Sequence, residues 1–148
     1  MTDLNFSIQE LVIATRDVDG AAARFGSALA APIDGRVTRA EDGIGIDMTG
    51  VWVGDFRIAF VGDSTGSGSV ARFLDKRGEG VLEICLRTSD LKAAMAKLKS
   101  AGFTFTSEEP HSLKHYEWQG EVFSEVLVVF VHPASACGVQ IELQQWVK

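Results

Sequence analysis

Membranes, nucleic acids and oxidising compartments each leave marks on a sequence, and this chain carries few of them. No apolar run approaches the roughly 20 residues needed to cross a bilayer, so a membrane is not an expected partner. The start, Met1-Thr2-Asp3-Leu4, has neither the basic residues nor the apolar stretch of a signal peptide. There are only 2 cysteines, Cys85 and Cys137, and they form no CxxC pair. Both are expected as reduced thiols, and the chain as cytoplasmic. No stripe of Lys and Arg interleaved with aromatics appears, and the formal net charge is -6, which argues against nucleic acid. The acidity serves solubility and is compatible with a cationic small ligand. Proline is scarce at 3 and glycine plentiful at 15, the balance of a strand-rich chain with tight turns. The glycine-rich run Gly62-Asp63-Ser64-Thr65-Gly66-Ser67-Gly68-Ser69 has no Gly-Lys-Ser/Thr and no dinucleotide-binding spacing. It reads as a hinge rather than a phosphate cradle.

What is present suffices for one soluble globular domain: 148 residues, 46% hydrophobic and 23% charged. The chain is organised around a stretch that occurs twice. Val81 to Gly102 reads as a buried strand, a capped turn and an amphipathic helix, with Glu83 set in the strand. Gln9 to Val18 is the earlier copy, and Glu10 holds the place of Glu83. In the first copy Phe6–Thr15 predicts a strand, with Ile8, Glu10, Val12 and Ala14 on one face. Asp17 is the expected N-cap, and Val18, Ala21, Ala22, Phe25 and Leu29 mark an amphipathic helix ended by Pro32. In the second copy Ser89 or Asp90 caps a helix that buries Leu91, Ala94, Met95 and Leu98, with Gly102 as its stop.

Each copy is followed by three predicted strands. In the first half these lie near 34–40, 44–53 and 56–61, with turns at Gly43 and at Gly54-Asp55. In the second they lie near 103–107, 121–132 and 139–146, and 108–120 reads as a long loop holding His111, His115, Tyr116 and Trp118. The organisation is a single α+β domain over 1–148 with two βαβββ modules, about 6–62 and 81–146. A Gly/Ser linker and a short helix at 63–80 join them. Two such units side by side can close a curved sheet into a half-barrel, with helices outside and a cleft within.

Several runs carry a resemblance to a known family. Ser69-Val70-Ala71-Arg72-Phe73-Leu74 through Arg77-Gly78-Glu79-Gly80, Glu108-Glu109-Pro110, His132-Pro133 and Gly138-Val139-Gln140-Ile141-Glu142-Leu143 resemble the vicinal oxygen chelate superfamily. That superfamily includes glyoxalases, extradiol dioxygenases and bleomycin-resistance proteins, and the methylmalonyl-CoA epimerase branch looks nearest. The resemblance implies a glyoxalase-like fold and a divalent metal held by one residue from each of four strands. Carried over by position, the metal positions fall on Glu10, Arg57, Glu83 and Glu142. Both family histidines are then glutamates, and one ligand place holds a cation. The epimerases' second acid/base glutamate would fall near Ile46, with Asp47 beside it, and a one-residue shift points a strand side chain to the opposite face.

Three carboxylates in a half-buried cleft repel one another, and either a hard cation or Arg57 can relieve that. An arginine beside a metal competes for the same oxygens, so a metal-free site is expected. The first expectation is therefore an isomerase, epimerase or lyase acting beside a carbonyl, on a small molecule such as an acyl thioester. Glu142 or Glu83 would move the proton, Arg57 would steady the developing enolate, and Glu10 would complete the set. His115, Tyr116 and Trp118 would contact substrate from a lid. Two alternatives stand beside this: a drug-binding protein of the bleomycin-resistance type, and a divalent-metal enzyme with an all-oxygen site of Glu10, Glu83 and Glu142. A homodimer is expected from exposed sheet edges. On the bland reading Arg57 is a structural counter-ion and Cys85 a small core residue.

Overall fold

The computed structural model describes residues 3–39 and 45–148, so the expected turn at Gly43 lies outside the described residues. In chain order the elements are β1 (Ser7–Ala14), α1 (Val18–Ala28), β2 (Val37–Arg39), β3 (Ile46–Val53), β4 (Phe56–Asp63), α2 (Ser69–Arg77), β5 (Gly80–Arg87), α3 (Leu91–Ser100), β6 (His111–Trp118), β7 (Glu121–Val131) and β8 (Gln140–Val147). The two copies of the repeat fold alike. Asp17 accepts the Gly20 N–H at the start of α1, and Asp90 accepts the Ala93 N–H at the start of α3. Each satisfies one of the amide donors that a helix leaves orphaned at its N-terminus.

The chain divides into two compact units, Glu10–Leu82 and Met1–Gln9 with Glu83–Lys148, called here the first and second unit. In the first, the strands run β2-β3-β4-β1, with β1 parallel to β4 and the other neighbours antiparallel. In the second, they run β5-β8-β7-β6, with β5 parallel to β8 and the rest antiparallel. The second arrangement repeats the first strand for strand, which is the tandem βαβββ pattern expected from the duplication.

Pleating decides what each sheet face carries. In the first unit Ile13, Val51, Ile58 and Phe60 pack with Val18, Ala21 and Ala22 of α1. Glu10, Val12 and Arg57, one residue out of step, therefore face away from that helix. In the second unit Leu86, Val129, Val131, Ile141 and Leu143 pack with Leu91 and Met95 of α3, so Glu83, Cys85, Arg87, Glu142 and Trp146 take the opposite face. The helix expectations hold less well at their edges. Phe25 is 36% exposed and Leu29 49%; α1 ends before Leu29, and Ala30 turns the chain with φ 49.

The main departure is in the second unit. No strand runs over 103–107, where Phe105 makes only an isolated bridge to Val131. The strand is β6, inside the span read as a loop. Its partner is β7, and the two are joined by Gln119-Gly120 with φ 51 and 78. A two-residue turn with both φ positive matches the twist of a hairpin. His111, His115, Tyr116 and Trp118 thus lie on a strand of a hairpin rather than on a lid. Ladder pairing skips His115 against Ser124, and His115 itself has φ 53. That irregularity puts Tyr116, Trp118 and Phe123 into the same apolar cluster as Leu113 and Val126, although strict alternation would separate them.

Candidate functional site

Parallel pairing sets Glu10 beside Arg57, Cα opposite Cα. The Arg57 Nη1–H donates to Glu10 Oε2 at 2.5 Å, and the guanidinium turns its other edge to Asp34. Nε donates to Asp34 Oδ2 at 2.7 Å and Nη2 to Oδ1 at 3.2 Å, a two-pronged pair. Asp34 is itself held by the Gly50 N–H at 2.8 Å and the Trp52 indole N–H at 3.1 Å. Arg57 is 2% exposed and Glu10 8%. Glycine at 50 makes this possible, because a Cβ there would stand 2.6 Å from Arg57 Cζ. Burial alone would raise the Asp34 pKa, but the Arg57 hydrogen bond, the Gly50 N–H and the Arg57 charge outweigh it and hold the carboxyl below its ordinary range. For Arg57, burial opposes the charge, while Asp34 and Glu10 more than restore it and hold the guanidinium protonated.

This triad is an ion-paired network with Arg57 at its centre. Asp34 is the member the sequence reading missed. Its only signal was position: an acid just after Pro32, before the strand that carries Gly50. Asp47, read beside the family's second acid/base place, pairs instead with Arg36 at 2.9 Å and Thr38 at 2.8 Å.

The second unit holds a different cluster. Register sets Glu83 opposite Gln140 and Cys85 opposite Glu142. The place matching Arg57 is therefore Gln140, and Glu142 lies one pleat further along, matching Ala59, which pairs with Val12. The Cys85 thiol donates to Glu142 Oε2 at 2.9 Å, and the Gln144 amide donates to Glu142 Oε1 at 3.0 Å. Gln140 donates to Glu83 Oε2 at 2.8 Å. Glu83, Cys85 and Glu142 bring one ligand atom each within 4.8 Å of one another. Cys85 is fully buried at 0% exposure, and both carboxylates are half-buried. The chain of donors continues outward, since Trp146 Nε1–H donates to Gln144 Oε1 at 2.8 Å. Trp118, Tyr116 and Phe123 pack around Trp146, whereas His115 is exposed.

These residues do not suit the family's four-ligand metal. Arg57, carried over to one ligand place by the resemblance, is one pleat out of register with Glu142, and it engages the carboxylate of Glu10, the residue carried over to another. The second unit's trio is two carboxylates and a thiol, a mixture that favours a borderline ion such as Zn²⁺ over Mg²⁺ or Ca²⁺. Chemically the trio can also take up and release protons, with Glu142 able to pass one to a group that meets it. Among the described residues, no helix is long and apolar enough to cross a membrane.

Known proteins share this architecture. Human mitochondrial methylmalonyl-CoA epimerase is 27% identical over 139 residues, covering 93% of this chain and 73% of the relative. The crystal structure of methylmalonyl-CoA epimerase from Mycobacterium tuberculosis matches with a TM-score of 0.75 and 27% identity, over 93% of this chain and 86% of that one. A Streptomyces coelicolor methylmalonyl-CoA epimerase variant in complex with 2-nitronate-propionyl-CoA matches with a TM-score of 0.76 and 21% identity, over 97% and 98%. The glyoxalase-like α+β fold expected from the duplicated modules is thus the fold observed. Residues 9–119 match the Glyoxalase/Bleomycin resistance protein/Dioxygenase superfamily, and the chain belongs to that superfamily.

Proposed function

We propose that this chain is an isomerase of the epimerase type, moving a proton on a carbon beside a carbonyl in a small acyl thioester. The observation that carries the reading is the Glu83–Cys85–Glu142 cluster, half-buried on the sheet face away from α3. The epimerase relatives support the reaction class. The structure bound to an acyl-CoA analogue supports the thioester. In this reading Glu142, steadied by the Gln144 amide, takes the proton from carbon, leaving an enolate. Protonated Glu83, held by Gln140, returns a proton to that carbon once the enolate has turned its other face to the cluster. The proton count closes once Glu142 and Glu83 exchange a proton with water or with each other. Arg57 serves in this account as the buried counter-ion of Glu10 and Asp34. Should a borderline divalent ion occupy Glu83, Cys85 and Glu142, it would polarise the thioester carbonyl as a Lewis acid.

The test is wash-in of deuterium from heavy water into the α-carbon of methylmalonyl-CoA and related acyl thioesters, followed by mass spectrometry. Wild-type protein is expected to catalyse exchange, and Glu142→Gln to lower its rate at least a hundredfold while circular dichroism stays unchanged. Absence of exchange with every thioester, together with saturable binding of a cationic drug, would turn the assignment to the drug-trapping reading.

A further inference from the structure

A cavity of about 320 Å³ opens in the second unit, lined by Arg87, Trp118, Glu121, Phe123, Trp146 and Lys148. Its chemistry differs from that of the rest of the chain. The protein as a whole carries a net charge of -6, yet here two cations face one carboxylate. That carboxylate is spent, because Lys148 Nζ lies 2.5 Å from Glu121 Oε2. Arg87 lies with its guanidinium carbon 4.6 Å from the centroid of the Trp146 ring and 5.7 Å from that of Phe123. Among the described residues no hydrogen bond or salt bridge holds it, and Glu121, already bonded to Lys148, acts on it only through its charge. An arginine stacked on an indole keeps its in-plane N–H donors, which match a carboxylate two at a time. Trp118 stands edge-on to Trp146 with ring centroids 5.8 Å apart and supplies a second flat wall.

Position ties the cavity to the acid cluster. Arg87 and Cys85 share a face of β5, two residues apart, and pair with Gln144 and Glu142 respectively. Two residues of strand span about 7 Å. The Trp146–Gln144–Glu142 hydrogen bonds run along the same line. A molecule whose reacting carbon meets Glu142 therefore reaches Arg87 with a group only a few bonds away. That is too short a span for the distant nucleotide end of an extended carrier thioester. It suits the acyl group itself.

We propose that this cavity is the acyl-specificity pocket, and that it selects a substrate bearing a carboxylate, bound by Arg87, and a flat aromatic substituent, bound against Trp118, Phe123 and Trp146. The proposal rests on the reading of Glu142 as the proton-transfer residue, and it extends that reading to acyl groups larger than a methyl-substituted diacid.

The experiment uses three probes on the whole chain: benzylmalonate (anion and ring), methylmalonate (anion alone) and benzyl alcohol (ring alone). Binding is read by intrinsic fluorescence, since two of the 3 tryptophans line the cavity, and by calorimetry. Benzylmalonate is expected to bind at least tenfold tighter than methylmalonate, and benzyl alcohol to give no saturable signal. Arg87→Leu is expected to weaken benzylmalonate at least tenfold. Trp118→Leu is expected to bring the two diacids within twofold of each other without weakening methylmalonate. If Arg87→Leu does not fold, Arg87→Lys, which keeps charge but lacks the planar fork, is expected to weaken benzylmalonate at least threefold. Equal affinity for the two diacids, or wild-type affinity in both Arg87 variants, would overturn the proposal. Proton exchange on thioesters with no preference for the ring would remove the pocket and leave the function standing. Ring-selective, Arg87-dependent binding with no exchange on any thioester would remove the function and leave the pocket.

Discussion

Asp34 carries the clearest consequence at the scale of single residues. Its carboxylate receives the two-pronged Arg57 contact, the Gly50 amide and the Trp52 indole N–H. In the unfolded chain those partners are lost and the pKa returns to the ordinary aspartate value. A carboxylate whose folded pKa is depressed contributes stability that is fully present above its unfolded pKa. That stability is lost as the pH falls through the ordinary carboxylate range towards the folded value. Wild-type protein is therefore expected to hold its stability from neutral pH down to about pH 5, and to lose part of it below about pH 4. Asp34→Asn removes the charge but keeps the shape. It is expected to cost about 1–3 kcal/mol at pH 7 and to show a shallower loss between pH 5 and 3. Urea unfolding at pH 7, 5, 4 and 3 measures both. Parallel pH curves for the two proteins would mean that Asp34 is ion-paired equally in the unfolded chain, or not at all. Arg57 adds nothing to this window, because its pKa is raised from a value already far above it.

At the scale of elements, the duplicated strand-helix pairs were legible and the β6–β7 hairpin was not. β1 and β5 announced themselves through apolar alternation broken by one glutamate each, and α1 and α3 through acid caps and i, i+3, i+4 spacing. All of these are local signals, although the two strands themselves pair with distant ones, β4 and β8. The hairpin failed for two physical reasons. Lys114, His115, Glu117 and Gln119 dilute the apolar alternation of an exposed strand, and Gln119-Gly120 is a weaker turn signal than Asn-Gly or Asp-Gly. The face switch at His115 then hides the period that remains. The clusters divide in the same way. Glu10 and Glu83 could be read from their repeat positions, and Cys85 from its spacing two residues beyond Glu83; Arg57 and Glu142 came only with the family resemblance, and the register sets them one pleat apart, while Asp34 enters from a loop. His115 supplies the test at this scale. A non-glycine residue at φ 53 sits where a side chain costs about 1–2 kcal/mol. His115→Gly is expected to leave the melting temperature unchanged or raised, and the β-branched His115→Val to lower it by several degrees. The reverse order would show that the imidazole makes a contact worth more than the backbone strain.

For the whole molecule the open question is what neutralises the acids, and the two units answer it differently. In the first unit Arg57 neutralises Glu10 and Asp34 from within, with a charge that no accessible pH removes. In the second, Glu83 and Glu142 lie with a thiol, and Gln140, Gln144 and Cys85 donate hydrogen bonds to them. A hard divalent ion wants six or more oxygens, or a near-ideal octahedron with retained water. Two carboxylates beside a thiol offer neither. Any ion that binds the folded chain and not the unfolded one raises the stability of the whole molecule, by about 2.7 kcal/mol at a hundred times its Kd. Protein stripped with chelator is accordingly expected to melt at the same temperature with and without millimolar Mg²⁺, Mn²⁺ or Ca²⁺, and to keep its proton-exchange rate. Zn²⁺ is the discriminating addition, because a thiolate selects it. A rise in melting temperature with Zn²⁺ that disappears in both Cys85→Ser and Glu142→Gln would make the trio a metal centre and move the chemistry from carboxylate proton transfer to Lewis-acid polarisation. A flat response to all four ions leaves Glu142 and Glu83 as the proton carriers. The thiol of Cys85 then orients Glu142, and Cys85→Ala is expected to slow proton exchange without abolishing it.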